Sequence, residues 1–435
     1  MTEPGRRPIC AFITLGCKAN RYDTAAMMAM VPPGRYEVVD QDAAPAGPVI
    51  ADVYVINTCA VTGTSAFQSR QMTRRVKRWN PEARVIVTGC LAELEADQLR
   101  AAGADLVAGV GAREEVVRFL GGDAVPGPLF FHSEGGSQRR GRAVVKVQDG
   151  CDFRCAYCIV STARGPSRSL EPAAVLGQLA ALASRGFNEA VLTGIHLGLY
   201  GRGHGSSLAE LLEMIEAAGD APPRIRISSL DPQELTPRLI GIMASSRKIC
   251  PHLHLPLQSG DRDVLGRMRR PYTPEEFESA VTGALAAMPG AAIGLDLIAG
   301  FPGESEAAHH NTASLIERLD VSYLHVFPFS RRPGTPAAAM PGQVAPDVIK
   351  RRARELRELG AAKKRAFLRA QVGRTLGVLA ESWEDGVATG TSENYARVKF
   401  AAPHEVIGKI VKVRVETAQA GHVAGRVAEG EEHRE

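Results

Sequence analysis

Short apolar runs alternate with stretches of helical periodicity from the beginning of the chain. Ala11–Gly16, Val53–Thr58, Arg84–Gly89 and Asp105–Val110 read as buried strands. The segments that follow them, Asn20–Met30, Ser65–Trp79, Glu93–Arg100 and Arg113–Leu120, read as helices. This alternation predicts a parallel sheet with helices on both faces, because parallel neighbours need crossover connections. A doubly wound α/β domain is therefore expected over residues 8–121. The Gly-, Pro- and Arg-rich stretches "GGDAVPGPLF" and "SEGGSQRRGR" then predict a linker to about Arg142.

A second alternating series follows. Its predicted strands are Val144–Gln148, Ala190–Gly194, Arg224–Ser229, His252–Leu257, Ile293–Ala299 and Tyr323–Phe329. Pro172–Ser184, Ser207–Ala218 and Pro274–Met288 carry helical patterns between them. Six such units over residues 143–371 predict a partial (β/α)6 barrel, two units short of closure. The segment ends in a basic helix, Pro346–Gln371, which reads as a solvated connection or as a nucleic-acid contact. Residues 372–430 change character to five short, Gly-punctuated β runs, which suit a small OB-like β-barrel. The last residues, "EGEEHRE", read as disordered.

Composition narrows the classes. With 45% hydrophobic and 23% charged residues, the chain supports buried cores and no long disordered tract is forced. The net charge of +4 permits a polyanionic partner without demanding one. No apolar run approaches the ~20 residues of a membrane span. The start, with Arg6 and Arg7 before a run broken by Gly16, Lys18 and Asn20, reads as a strand and not as a signal peptide. A cytoplasmic protein is expected. In a reducing compartment, the cysteines at 10, 17, 59, 90, 151, 155, 158 and 250 point to metal or redox chemistry before disulfides.

Three of them crowd into "VQDGCDFRCAYC", as C-x3-C-x2-C at Cys151, Cys155 and Cys158. Structural zinc usually takes two separated pairs of ligands, whereas no fourth cysteine or histidine lies close to this loop in the sequence. Three thiolates on a four-iron, four-sulfur cubane leave one iron open, and an open iron can take a chelating substrate. Ligands of such barrels gather at the carboxyl ends of the strands. There the sequence supplies "LTGIHLG" (Leu192–Gly198), "ISS" (Ile227–Ser229), "LQSG" (Leu257–Gly260) and "DLIAGFPGE" (Asp296–Glu304).

Cys17, Cys59 and Cys90 close the runs "ITLGC", "VINTC" and "VIVTGC". Strand ends of a parallel sheet lie along one edge, so these distant thiols are expected to converge. One such cysteine would read as buried structure; three at equivalent strand ends read as a shared metal centre. Cys10 and Cys250 lack that placement.

The C-x3-C-x2-C loop after the first barrel strand, with aromatic Tyr157 before its last cysteine, resembles the radical S-adenosylmethionine (SAM) superfamily. The resemblance implies a 4Fe-4S cluster on Cys151, Cys155 and Cys158, SAM chelated at its open iron, and reductive cleavage of SAM to a 5′-deoxyadenosyl radical. It also implies SAM contacts from Tyr157, Thr193, Gly194, Ser228, Ser229, Gln258 and Asp296.

Along nearly its whole length the chain resembles the methylthiotransferases, which add a second 4Fe-4S cluster and a C-terminal RNA-binding TRAM domain. "TLGCKANRYDT" is similar to the opening of the subfamily acting on N6-threonylcarbamoyladenosine in tRNA. "VYVINTCAVT", "VIVTGC", "LTGIH", "HLHLPLQSG", "MRRPYT" and "HVFPFSRRPGTPAA" match as well. The isopentenyladenosine relatives instead carry GC-[QN]-M-N, and the ribosomal-protein relatives place Lys and Asn side by side, where here Ala19 separates Lys18 from Asn20. Two departures are Asp231, where Glu is expected after "ISSL", and a short TRAM segment poor in aromatic residues.

The resemblance implies conversion of N6-threonylcarbamoyladenosine at position 37 to its 2-methylthio derivative. One SAM methylates a sulfur on the second cluster, held by Cys17, Cys59 and Cys90; a second SAM supplies the radical that activates carbon 2 of the adenine. The implied partners are tRNA and a reductant protein such as flavodoxin or ferredoxin. No side chain beyond the cluster ligands is assigned a catalytic role. Arg164 and Arg168 in "ARGPSRS" are candidates for the SAM carboxylate or the RNA backbone. Arg70, Arg74 and Arg75 in "SRQMTRRVKR" are candidates for tRNA phosphates, with Arg70, Arg74, Lys77 and Arg78 expected on one helical face; a solvated face is the alternative. Rival functions are methylthiolation of isopentenyladenosine or of a ribosomal-protein aspartate and, from a different class, a zinc-stabilised RNA-binding protein.

Overall fold

The computed structural model describes residues 6–43, 47–122 and 141–428. The expected linker and the expected disordered tail fall almost wholly outside the described residues. These residues divide into two compact units. Unit one gathers the chain up to Gly122 together with Lys146–Arg168 and Ser330–Thr335. Unit two holds Gly141–Val145, Ser169–Phe329 and the chain from Pro336 onward.

Unit one alternates β1 (Ile9–Thr14), α1 (Lys18–Ala29), β2 (Glu37–Asp40), β3 (Val53–Thr58), α2 (Gly63–Trp79), β4 (Arg84–Gly89), α3 (Cys90–Leu94), α4 (Ala96–Ala101), β5 (Leu106–Ala108) and α5 (Arg113–Phe119). The strands form a parallel sheet in the order β2-β1-β3-β4-β5. Successive strand residues face opposite sides, and the core divides accordingly. Ala11, Ile13, Tyr54, Ile56, Val85 and Val87 fill one face; Cys10, Phe12, Val53, Val55 and Ile86 fill the other. Cys10 is thus core packing. The four-residue edge strand β2 is not anticipated by the sequence pattern, because its residues are only half-buried and polar at both ends. The helix expected over Glu93–Arg100 is two: Glu95 leaves the helical region at φ −135, ψ 44, and the first piece already begins at Cys90. Helix α2 starts at Gly63, two residues before the predicted Ser65, because Thr62 and Ser65 form a reciprocal capping box.

The chain then runs through β6 (Arg142–Lys146), β7 (Gln148–Asp149), α6 (Val160–Arg164), β8 (Arg168–Ser169) and α7 (Pro172–Ser184). Unit two continues with β9 (Glu189–Thr193), α8 (Leu208–Ala217), β10 (Arg224–Ile227), α9 (Pro237–Ser245), β11 (His252–Gln258), α10 (Arg262–Met268), α11 (Pro274–Ala287), β12 (Ala292–Ala299), α12 (Glu306–Arg318) and β13 (Tyr323–Pro328). Strands pair as β10-β9-β6 and as β11-β12-β13, with a parallel bridge from Ile225 to Ile249 joining the two groups. The six strands follow chain order, as a partial barrel requires. After α13 (Pro336–Ala339), the basic helix α14 (Pro346–Arg369) packs on β13.

The C-terminal segment is a closed barrel of β14 (Thr375–Glu384), β15 (Val387–Ser392), β16 (Arg397–Ala401), β17 (Ile410–Ala418) and β18 (Val423–Val427). Leu376, Val378, Val398, Phe400 and Val413 form its core. Glu189 fastens this barrel to the rest of unit two. Its buried carboxylate accepts from Arg224, Arg226 and Arg142. The two internal arginines turn their remaining donors onto carbonyls of Gly377, Thr391, Ser392 and Glu393.

Candidate metal centres

Register brings the strand-end thiols of unit one to a common level. Thr14 pairs with Asn57, and Thr58 pairs with Gly89. Cys59 and Cys90 are the next residues of their strands, and Cys17 caps α1 three residues beyond Thr14. None of the eight cysteines is in a disulfide; Cys59 and Cys90 are buried and Cys17 is exposed. The three sulfurs lie within electrostatic reach of one another. Burial pushes the Cys59 and Cys90 thiols above their ordinary range, with the neighbouring thiols adding to this and Arg164 opposing it.

Two glycines make the convergence possible. Gly16 has φ +110, and a Cβ there would meet the Cys59 Cβ at 2.8 Å. Gly89 has φ +95, and a Cβ there would lie 2.4 Å from Asn57 Oδ1. Neither the left-handed backbone nor the space admits another residue without strain.

The Cys151–Cys158 loop belongs to the same compact unit. Cys151 N–H donates to the Gly165 carbonyl at 3.0 Å, Cys158 N–H to the Cys155 carbonyl at 3.1 Å, and Val160 N–H points to Cys158 Sγ at 3.4 Å. Burial carries the Cys158 thiol up to about 11, and the nearby Cys155 and Cys151 add to that. Ile159, which caps α6, and Ala163 within it pack into the sheet core and anchor the loop. Tyr157 is half-buried within it.

Arg164 corrects the expectation of an RNA or SAM contact. Its side chain is fully buried. Nη1 donates to both oxygens of Asp149 at 2.9 and 3.0 Å, Nη2 to Asn20 Oδ1 at 2.6 Å, and Nε to Cys90 Sγ at 3.4 Å. A guanidinium whose donors are all turned inward has none to offer a phosphate. Arg168 is exposed and donates to the Arg164 carbonyl. On α2 the expected basic face divides. Arg70 pairs with Glu95, and Lys77 with Asp105. Arg74, Arg75 and Arg78 are exposed. Arg74 and Arg78 line an open groove of about 520 Å³ beside the exposed ring of Phe67.

In unit two the predicted SAM-contact residues Thr193, Gly194, Ser228, Ser229 and Gln258 lie at or near strand ends, whereas Asp296 sits inside β12. Thr193 and Ser228 are buried, Gly194 half-buried and Ser229 exposed. Gln258 holds a left-handed backbone at φ 63, where the β11–β12 register slips. Strain of this kind collects at functional positions. Asp296 accepts from His254 Nε2 at 2.8 Å and from His325 Nδ1 at 3.3 Å. Burial alone would raise its carboxyl, but these two hydrogen bonds hold it down to about 2. The substituted position, Asp231, accepts from Arg270 and donates its N–H to Glu234 at 2.9 Å, while Glu234 also binds His196.

Sequence reasoning missed the buried partners of Arg164, which are Asn20, Asp23 and Asp149, and Lys146, which pairs with the same two aspartates. A signal was present, because charged Lys146 stands inside the predicted buried strand Val144–Gln148 and Asp149 directly follows it. Asp23 and Asn20 stand in the "TLGCKANRYDT" stretch, where only the cysteine drew a role. His254 and His325 alternate with apolar residues on their strands, which reads as ordinary packing.

Comparison with known proteins agrees with this arrangement. The Radical SAM superfamily model matches residues 145–316, and the uncharacterized protein family UPF0004 model matches residues 10–109. The fold is that of the radical SAM methyltransferase TsrM from Kitasatospora setae, at TM-score 0.54 and 17% identity, over 76% of this chain and 77% of that one. The class is thus a radical SAM protein with an added N-terminal sheet. Threonylcarbamoyladenosine tRNA methylthiotransferase MtaB of Bacillus subtilis (strain 168) is 37% identical over 432 residues, covering 93% of each chain. The tRNA-2-methylthio-N(6)-dimethylallyladenosine synthase of Pelotomaculum thermopropionicum is 31% identical over 438 residues, covering 95% and 96%. The chain belongs to the radical SAM tRNA methylthiotransferases.

The family's cofactors are SAM and two 4Fe-4S clusters. The donor sets suit them. Each set offers three thiols outside any disulfide, soft ligands that favour iron–sulfur chemistry, and each leaves a cubane one iron short of protein ligands. The guanidinium against Cys90 suits an anionic occupant. Among the described residues no helix is long and apolar enough to cross a membrane.

Proposed function

We propose that this chain converts N6-threonylcarbamoyladenosine at position 37 of tRNA to its 2-methylthio derivative. The observation that carries the reading is the presence of two separate three-thiol sets in one compact unit. A single SAM-cleaving site needs only one. The relative matching at 37% bears the name of this activity, and the dimethylallyladenosine synthase follows at 31%.

Cys151, Cys155 and Cys158 hold one cluster, and Cys17, Cys59 and Cys90 hold the other. When bound, these groups supply the electron that cleaves SAM and the site at which the methylthio sulfur is held. The chain's own contribution is position and exclusion of water. Gly16 and Gly89 let the strand ends close on one point, and Asn20 ties two of them together by donating to the carbonyls of Leu15 and Thr58. SAM is recognised by Tyr157, Thr193, Gly194, Ser228, Ser229, Gln258 and Asp296. Exposed Arg74, Arg75 and Arg168 meet tRNA phosphates, with the closed C-terminal barrel as a further RNA-binding element. The electron comes from a flavodoxin- or ferredoxin-type protein in a reducing cytoplasm, which suits eight cysteines outside any disulfide.

Nucleoside mass spectrometry of tRNA from a strain lacking the gene tests the substrate. The 2-methylthio form of N6-threonylcarbamoyladenosine should vanish and return on complementation. Its persistence, with loss of 2-methylthio-isopentenyladenosine instead, would move the assignment to the neighbouring substrate.

A further inference from the structure

A buried network of unit one joins Arg113, Lys146 and Arg164 to the carboxylates of Asp23 and Asp149, and all five side chains are at most 1% exposed. Asp23 accepts from Arg113 at 2.6 Å and from Lys146 at 2.5 Å; Asp149 accepts from Lys146 at 2.7 Å and from Arg164. Buried charges are costly unless paired, and Arg164 carries the positive charge of this network up to the Cys90 sulfur through its Nε.

The same guanidinium reaches both thiol sets. Asp149, which it grips with two hydrogen bonds, lies two residues before Cys151. Asn20, which accepts from its Nη2, donates to Leu15 and Thr58, the residues leading into Cys17 and Cys59. Arg164 itself closes the short helix that follows Cys158.

We propose that Arg164 is a positioning residue for the centre of Cys17, Cys59 and Cys90: it fixes Cys90 relative to the root of the Cys151 loop, and its charge favours the more reduced, more anionic state of the group held there. The proposal rests on the ligand assignment made above. Hydrogen bonds and charge at a ligating sulfur are recognised levers on cluster potential. A cation in a dry surrounding acts on an added electron far more strongly than one in water. Carboxylates of the network work in the opposite sense, so the two kinds of substitution have opposite signatures.

The test uses the full chain with Cys151→Ala, Cys155→Ala and Cys158→Ala, reconstituted anaerobically so that only the other centre contributes. Its midpoint potential is read by EPR-monitored redox titration. Arg164→Gln is expected to move the potential in the negative direction and Arg164→Lys to recover most of that shift. Asp23→Asn is expected to move it in the positive direction, with iron content unchanged throughout. Potentials that coincide in the parent, Arg164→Gln and Asp23→Asn proteins overturn the proposal. So does a shift of the same sign in the last two, or loss of iron from both Arg164 variants. A parent protein that binds no iron removes the ligand assignment itself, and this proposal with it.

Discussion

Thr58 pairs with Gly89 across two adjacent parallel strands, and the next residue on each strand is a cysteine. That one register relation turns two residues far apart in sequence into neighbours. The third thiol joins them because β1 lies on the other side of β3 and ends at the same level. The site is therefore a product of sheet topology, with Gly16 and Gly89 supplying the sharp exits from the strands.

Gly89→Ala should disrupt this centre. A methyl at that position would meet Asn57 Oδ1 at 2.4 Å and the Thr58 carbonyl at 2.6 Å on a backbone of φ +95. Strain of this kind costs roughly 1–3 kcal/mol before the clash is added. The unfolding midpoint should fall by several degrees, and reconstituted iron should drop to about half, since one cluster of two is affected. Gly283→Ala, on helix α11 with open space around it, should be neutral or mildly stabilising.

Lys146→Met should destabilise unit one by about 3 kcal/mol, because Asp23 and Asp149 each lose a buried partner while Arg113 and Arg164 remain. Asp23→Asn, alone and combined with Lys146→Met, completes a double-mutant cycle. Denaturant unfolding of both single variants and the double variant gives the coupling energy. Strict additivity would mean that the two side chains do not act on each other.

Glu189 sets an acid limb for unit two. Burial alone would raise its carboxyl, but Arg226, Arg224 and Arg142 hold it down to about 2. A depressed carboxyl contributes stability that is fully present above the ordinary glutamate range and disappears as pH falls toward 2. The contribution is about 3 kcal/mol at neutral pH. The stability difference between the native chain and Glu189→Gln, measured by denaturant unfolding, should therefore be largest at neutral pH and shrink below about pH 4.5. A difference independent of pH would show that the carboxylate is not held by those arginines.

Arg74→Ala and Arg75→Ala should weaken tRNA binding, and each should lower the slope of log affinity against log salt by roughly one. Filter binding across a salt series reads both effects. A change in affinity with an unchanged salt slope would place these side chains away from phosphates.

Much of this was legible beforehand. Buried strands such as "VYVINT", the exact helix Pro172–Ser184 and the five C-terminal strands follow from periodicity and punctuation, which are local properties. Convergence of Cys17, Cys59 and Cys90 followed from equivalent placement at strand ends. Arg164 shows where such reading fails. A charged residue directly before a glycine in "ARGPSRS" looks exposed in sequence, and only the approach of Asn20, Asp23 and Cys90 from distant positions buries it. The break at Glu95 was also hidden, because neighbouring residues all favour helix and the interruption is a tertiary effect.

Anaerobic iron analysis of three full-length proteins weighs the two-centre account as a whole. The native chain should hold about eight irons, and the Cys17→Ala/Cys59→Ala/Cys90→Ala and Cys151→Ala/Cys155→Ala/Cys158→Ala proteins about four each. A native chain holding zinc without iron, or a Cys17→Ala/Cys59→Ala/Cys90→Ala protein with its full iron complement, is incompatible with it.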